Sequence, residues 1–177
     1  MLPSEVSALL LQSARKKEFP KGHVLVQPGE VQQEMYLVES GVQMSVYEEG
    51  GRPLVLAFSY APGFCALPDS FSLQQPANSR LECVTDSVLH ALTYAQLQTL
   101  LAEVPGLERF LRQATEQVLA GLIQRHIEWQ TLDMEDRYLL FCRRSGHLLQ
   151  KVPHKYIASY LGIDPTNFSK LYNRVKI

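Results

Sequence analysis

Between Phe19 and Leu92 the chain breaks its apolar runs with a turn signal every few residues, and this restricts it to short strands. Val24-Leu25-Val26, Met35-Tyr36-Leu37-Val38, Val42-Met44-Val46 and Leu54-Val55-Leu56-Ala57-Phe58 carry the strand period of two. Pro20-Lys21-Gly22, Gln27-Pro28-Gly29, Ser40-Gly41, Gly50-Gly51 and Ala61-Pro62-Gly63 separate them. A second β-rich segment follows, with Arg80-Leu81-Glu82-Cys83-Val84 and Val88-Leu89-His90-Ala91-Leu92. Strands at this spacing predict a compact barrel or double-sheet roll.

On either side of the strands the period is that of a helix. Residues 3–15 predict a short helix with Val6, Leu9, Leu10 and Ala14 on one face. Arg15-Lys16-Lys17 would close it, where basic side chains suit the helix dipole. Ala95 to Leu101 predicts another, broken by Pro105-Gly106. A longer helix then runs roughly from Leu107 to Gln130, about 36 Å at 1.5 Å per residue. Leu107, Leu111, Ala114, Val118 and Leu122 form one apolar stripe; Leu119, Ile123 and Ile127 form another. One stripe can pack on the roll, and the other requires a second partner. His126 and Trp129, near the end, read as packing residues.

Thr131-Leu132-Asp133 reads as a hinge. Asp133 can cap a helix Met134–Arg144 with Tyr138, Leu139, Phe141 and Cys142 inward, ended by Ser145-Gly146-His147. The stretch Val152 to Leu171 then predicts two short helices and a tight turn. Pro153 suits a first helical turn, and Ile157, Ala158 and Leu161 repeat on one face. Gly162 accepts the left-handed conformation that ends a helix, and Asp164-Pro165 starts the next. Phe168, Leu171 and Val175 face inward there, leaving Thr166, Asn167, Ser169, Lys170, Asn173 and Arg174 outward. Such a layout places a second helix in a DNA major groove, although two-helix hairpins also occur as plain core elements.

The net charge of −1 hides an asymmetry. Residues 1–130 hold 9 Lys/Arg against 14 Asp/Glu, whereas residues 131–177 hold 8 against 4. A basic end beside an acidic body is compatible with phosphate neutralisation on duplex DNA. The three cysteines, Cys65, Cys83 and Cys142, are dispersed without a CxxC pair, as expected of reduced, buried thiols in a cytoplasm. No apolar run approaches the ~20 residues that span a bilayer, and the N-terminus lacks a signal-peptide layout. No membrane association is expected.

Phe19-Pro20-Lys21-Gly22-His23-Val24-Leu25, then Pro28-Gly29-Glu30, then Met35 to Val42 resemble the opening of a cyclic-nucleotide-binding β-roll. Taken with the C-terminal hairpin, the whole chain resembles the Crp/Fnr family of bacterial transcription regulators. Met134 to Leu139 and Val152 to Ile163 are especially similar to a compact branch of it. The resemblance implies an α+β fold in three parts. Residues 1–105 would be a double-stranded β-roll (a cupin-like jelly roll) with flanking helices. Residues 106–131 would be a dimerisation helix and hinge, with homodimer contacts around Leu107–Gln130. Residues 132–177 would be a winged-helix-like helix-turn-helix domain that binds double-stranded DNA.

Family members that bind cyclic AMP carry a Gly-Glu pair and then an Arg-Ser or Arg-Thr pair. Here Gly63-Phe64-Cys65 is followed by no Glu, Asn78 occupies the expected Arg position, Ser79 is retained, and Arg80 comes one residue late. In a strand that shift turns a side chain to the other face. Arg80 is then expected on the surface, paired with Glu82 or Asp86. The pocket is non-standard, which argues against cyclic AMP and leaves another small-molecule effector or none.

The resemblance assigns base reading to Pro165, Thr166, Asn167, Ser169 and Lys170. Lys155, Tyr172, Asn173, Arg174 and Lys176 become candidates for backbone phosphates. Many relatives have Arg where Lys170 stands; Lys reaches the same acceptors as a point charge. No cofactor and no enzymatic activity are implied. His23, His90, His126, His147 and His154 are scattered singly, without a metal-ligand cluster, and three dispersed cysteines do not suit an iron–sulphur site. The alternative is a small-ligand-binding roll whose DNA-binding domain has decayed.

Overall fold

The computed structural model describes residues 4–175. A helix α1 (Ser4–Ser13) precedes strands β1 (Arg15–Phe19), β2 (Val24–Val26), β3 (Glu34–Ser40), β4 (Val42–Glu49), β5 (Arg52–Tyr60) and β6 (Gly63–Cys65). A short helix α2 (Pro68–Phe71) leads to β7 (Arg80–Cys83) and β8 (Ser87–Thr93). Five helices follow: α3 (Tyr94–Glu103), α4 (Leu107–Thr131), α5 (Met134–Ser145), α6 (His154–Leu161) and α7 (Pro165–Arg174). A 3-10 turn, Gly146–Gln150, joins α5 to α6. No helix among the described residues is long and apolar enough to cross a membrane.

The strands form two antiparallel four-stranded sheets, ordered β1-β8-β3-β6 and β2-β7-β4-β5. Between them lies a core that includes Val26, Tyr36, Val38, Leu81, Cys83, Leu89 and Ala91. β3 is buried on both faces. Tyr36 and Val38 point between the sheets, while Met35 and Leu37 pack outward with Leu10, Leu92, Leu97 and Leu107. The β3–β4 corner requires glycine: Gly41 has φ +91°, and a Cβ there would stand 2.6 Å from the Asp86 carbonyl oxygen.

The second sheet turns its apolar residues outward. Gln43 and Ser45 pair with Cys83 and Leu81 and share their inner face. Val42, Met44 and Val46 are therefore on the outer face, and with Val55 they join Tyr138, Phe141, Leu148, Ile157 and Phe168 in one continuous cluster. The C-terminal helices thus cover the roll. Phe58 packs on Tyr160 at 5.2 Å between ring centroids, and Tyr60 on His147 at 4.7 Å. Ser159 of α6 closes the free edge of β5. Its hydroxyl accepts from the Val55 N–H at 3.0 Å and donates to the Pro53 carbonyl at 2.7 Å.

Several sequence expectations need correction. Arg15-Lys16-Lys17 form no helix end; they begin β1, paired with β8 from Arg15–Ala91 to Phe19–Ser87. Lys16 bonds Glu39 at 2.9 Å and Lys17 bonds Glu34 at 2.6 Å, so the basic run finds its carboxylates across the sheet. Pro153 is the N-cap of α6, one residue outside the first turn. The helices of the C-terminal part carry no strand after Thr93 among the described residues, so the winged-helix-like expectation is not met there. In particular, the link after α5 coils into a 3-10 turn because Leu148 and Val152 are drawn into the core.

The packing of α4 also differs. Leu107 is buried and Phe110 and Leu111 pack on the roll. Beyond them Val118 and Leu122 of the first stripe are exposed together with Leu119, Ile123 and Ile127 of the second, at 43 to 60%. Val118 and Leu122 border a cavity opposite Ala57 and Phe58 of β5, so the middle of α4 runs beside the roll without closing onto it.

Replacing Ser159 by alanine leaves the Val55 N–H and the Pro53 carbonyl unpaired beside a buried face. The expected loss is about 1–3 kcal/mol. Urea unfolding would report it as a lower midpoint at unchanged slope; an unaltered midpoint would show that this bridge contributes nothing.

Candidate functional site

The roll interior is the first place to look for a ligand. Cys65 is fully buried there, and Leu67, a little further along, is 3% exposed. Phe64 points away from the interior and packs near Phe110 of α4, at 6.2 Å. Gly63 is held against the Tyr60 carbonyl, 2.7 Å from where a Cβ would be. Ser79 is buried, while Asn78 is exposed, its side-chain amide 3.5 Å from Asp69. Arg80 lies outside the roll, as its register implies: Leu81 and Cys83 point inward, Arg80 and Glu82 outward. Its guanidinium pairs with Glu82 at 2.7 Å and with Glu48 at 2.8 Å. Asp86, the other expected partner, instead accepts from the Lys21 N–H.

The six pocket residues named from sequence therefore do not converge. No guanidinium among them reaches the space between the sheets. An open groove of about 600 Å³ at one end of the roll is lined by Glu30 and Glu34 with Gln32, Gln33, Tyr36 and Thr93, without a Lys or Arg. Glu34 is already paired with Lys17 and Glu30 adds a further negative charge, so nothing in this lining attracts a phosphate, and an anion without a bidentate cation is weakly held.

A latch that sequence reasoning missed holds α2 to the loop before β3. Gln32 is 2% exposed. Its side-chain oxygen accepts from the Leu67 N–H at 2.7 Å, its amide nitrogen donates to the Glu34 carbonyl at 2.6 Å, and its backbone N–H donates to Ser70 Oγ at 2.8 Å. Ser70 Oγ donates in turn to the Gln75 carbonyl at 2.8 Å. The Gly29 N–H donates to the Ala77 carbonyl and the Ala77 N–H to the Glu30 carbonyl, both at 2.8 Å. These groups satisfy one another, and Gln and Ser gave no periodic signal that would have marked them.

The interior also shifts its titrating groups. Burial pushes the Cys65 thiol up to about 12 and the Cys83 thiol in the same direction. Burial raises Tyr36 too, with the nearby Glu34 carboxylate adding to it. The Cys142 thiol, in the cluster beneath α5, is raised by burial.

The second candidate surface is α7. Asp164 accepts from the Thr166 N–H at 2.9 Å and the Asn167 N–H at 3.4 Å, and Pro165 occupies the first turn. Gly162, at φ +63°, ends α6 as the sequence implied. Phe168 and Leu171 are buried, so Pro165, Thr166, Ser169 and Lys170 face out, with Asn173 one turn further along. Asn167 is half-buried and its amide lies 3.9 Å from Met134 Sδ. Lys155 lies over the Tyr156 ring at 4.8 Å, and Tyr172 stacks on His154 at 4.2 Å. Arg174 is paired with Glu135. Lys176 lies outside the described residues. The outward residues of α7 thus share one polar surface with a capped N-terminus.

The family profile described as cyclic nucleotide-binding domain matches residues 16–104. No curated protein matches the chain. Among solved structures, the c-di-GMP responsive global regulator CLP of Xanthomonas campestris is 20% identical, covering 97% of this chain and 91% of its own, at a TM-score of 0.72. FixK2 from Bradyrhizobium japonicum is 15% identical over 91% of this chain and 83% of its own, at 0.80. A Crp/Fnr family protein from Eubacterium rectale is 15% identical over 97% and 82%, at 0.72. At these identities the likeness is one of fold, and it runs through the C-terminal helices as well as the roll.

The thiol shifts set an alkaline limit on stability. An unfolded thiol ionises near 9.0, whereas Cys65 in the fold holds its proton to about 12. Over that window the folded chain binds more protons, so unfolding becomes easier as pH rises. The urea midpoint is expected to fall from about pH 9 upward, and Cys65→Ala to make the fall shallower. Equal slopes in the two proteins would mean that Cys65 is solvated.

Proposed function

The chain belongs to the cyclic nucleotide-binding domain family, and from that premise we propose that it is a Crp/Fnr-type transcription regulator that reads double-stranded DNA as a homodimer. The role is non-enzymatic and, for a bacterial regulator, cytoplasmic. The observation that carries this reading is the outer row of α7. A helix with a capped N-terminus and two buried anchors presents Thr166, Ser169, Lys170 and Asn173 to solvent from the basic end of the chain. Helix N-terminal residues are those that reach base edges in a major groove. The fold of the regulator CLP, shared over nearly the whole chain, supports the same reading.

The division proposed for the chain is a roll over residues 1–105, a dimerisation helix and hinge over 106–131, and a helix-turn-helix unit over 132–177. Five exposed apolar side chains on α4, from Val118 to Ile127, supply the surface for a second copy. A twofold axis there would present two copies of α7 to a palindromic site. The effector, where one acts, is not cyclic AMP: Arg80 is outside the roll, bound to two carboxylates. Gly63, Phe64, Cys65, Asn78 and Ser79 supply no replacement charge.

Selection from random duplex DNA tests the proposal. Enrichment of an inverted repeat with half-sites about 10 bp apart is expected. Lys170→Ala should then lose about 1–3 kcal/mol of site discrimination. Arg174→Ala should weaken all sequences alike and lower the salt slope by about 1, less any part retained by its pairing with Glu135. No enrichment, with or without effectors, would favour the roll protein with a decayed reading unit.

Dimerisation is tested separately. Ile123→Glu buries a charge in the proposed seam and should convert the protein to a monomer by sedimentation. A wild-type protein that already sediments as a monomer would remove the twofold model.

A further inference from the structure

A second cavity lies away from the roll interior, where β5, α4, α5 and α6 meet. It measures about 300 Å³, at the lower end for small-molecule sites, and has aromatic walls that include Phe58 and Tyr160. Three arginines line it, against a single carboxylate, Glu128. Glu128 is already neutralised by Arg144 at 2.8 Å and accepts from Gln124 at 3.2 Å. The other two arginines form no ion pair among the described residues. Arg125 is held by π-faces, 5.2 Å from the Trp129 ring centroid and 4.6 Å from that of Tyr160. Arg137 leaves its Nε buried without a hydrogen-bond partner.

The indole N–H of Trp129, in the same wall, is likewise buried and unpartnered. Both side chains stand beside Gly162. A Cβ on that glycine would stand 3.6 Å from Arg137 Nη1 and 3.9 Å from Trp129 Nε1. Buried donors without acceptors are costly, and the lining of one cavity carries two of them beside surplus positive charge. What the cavity lacks is an anionic acceptor on a flat apolar body.

We propose that this cavity is a binding site for a small organic anion, an aromatic carboxylate or phosphate ester, held by Arg137, Arg125 and the Trp129 N–H. Its headgroup accepts from the two unpartnered donors, and its ring lies among the aromatic walls. Such a ligand touches the roll, the long helix and the C-terminal helices at once. It therefore senses how these parts sit together. The inference does not rest on DNA reading, and its test contains no DNA.

Trp129 is the one tryptophan in the sequence, so its fluorescence reports on this site directly. The purified full-length protein is titrated with benzoate and with phenyl phosphate, and with neutral benzyl alcohol as the control. Saturable change in emission at millimolar concentration or below is expected with the anions and not with the alcohol. Arg137→Gln, checked for folding by circular dichroism, should weaken the anions about tenfold or more. No response to either anion, an equal response to benzyl alcohol, or unchanged affinity in folded Arg137→Gln would overturn the assignment. Should Arg137→Gln not fold, the comparison of anion with alcohol on the wild-type protein decides it.

Discussion

The outer face of β4 and β5 is apolar, and the rest of the architecture follows from having to cover it. Val42, Met44, Val46 and Val55 are each 1% exposed or less, and they face away from the roll interior. Left bare, they would form the kind of contiguous patch that a solvated sheet does not carry. The C-terminal helices cover it with Tyr138, Phe141, Ile157 and Phe168, and the Ser159 hydroxyl seals the edge of β5. Docking therefore fixes α6 inward and leaves α7 with a free outer row. The apolar face sets which surface of the hairpin is available.

The interior of the roll follows a different logic. Its polar groups are uncharged and mostly bonded to one another: Gln32 with Leu67 and Ser70, and Gln43 with Ser87 at 2.9 Å. Its cysteines are buried, and Arg80 points to the outer face. At the junction with the C-terminal helices, Arg125 and Arg137 carry positive charge without a carboxylate partner among the described residues.

Features written in local chemistry were legible in the sequence. Turns at Gly22, Gly29 and Gly41, the caps at Asp133 and Asp164, and the left-handed stop at Gly162 each depend on a few neighbouring residues. The displacement of Arg80 was legible too, because a strand has a strict period of two. What depends on distant partners was not. Arg15-Lys16-Lys17 become a strand only because β8, seventy-odd residues later, pairs with them. Alternation marks Val42, Met44 and Val46 as one face without saying that helices from the chain's end cover it. The stripes on α4 show period, but not that close packing on the roll ends after Leu111. At the candidate sites, the outward residues of α7 were readable from their anchors, whereas Trp129, read as a packing residue, joins Arg137 only through the tertiary fold.

The same packing limits how such a molecule could switch. Undocking the C-terminal helices would expose four buried side chains from the roll alone, at about 1.5–3 kcal/mol each. That amounts to about 6–12 kcal/mol, more than the ~5.5 kcal/mol of differential binding that inverts an equilibrium from 1:99 to 99:1. A small ligand does not supply that difference by lifting the helices off. A change compatible with this fold keeps β4 and β5 covered and moves the part of α4 that packs least closely, its exposed middle. The Arg125–Arg137 cavity lies where such a motion would be felt, because α4 enters its wall from one side and α5 and α6 from the other. A bound anion there would bias that motion through contacts that differ between the two arrangements, with the apolar face intact throughout.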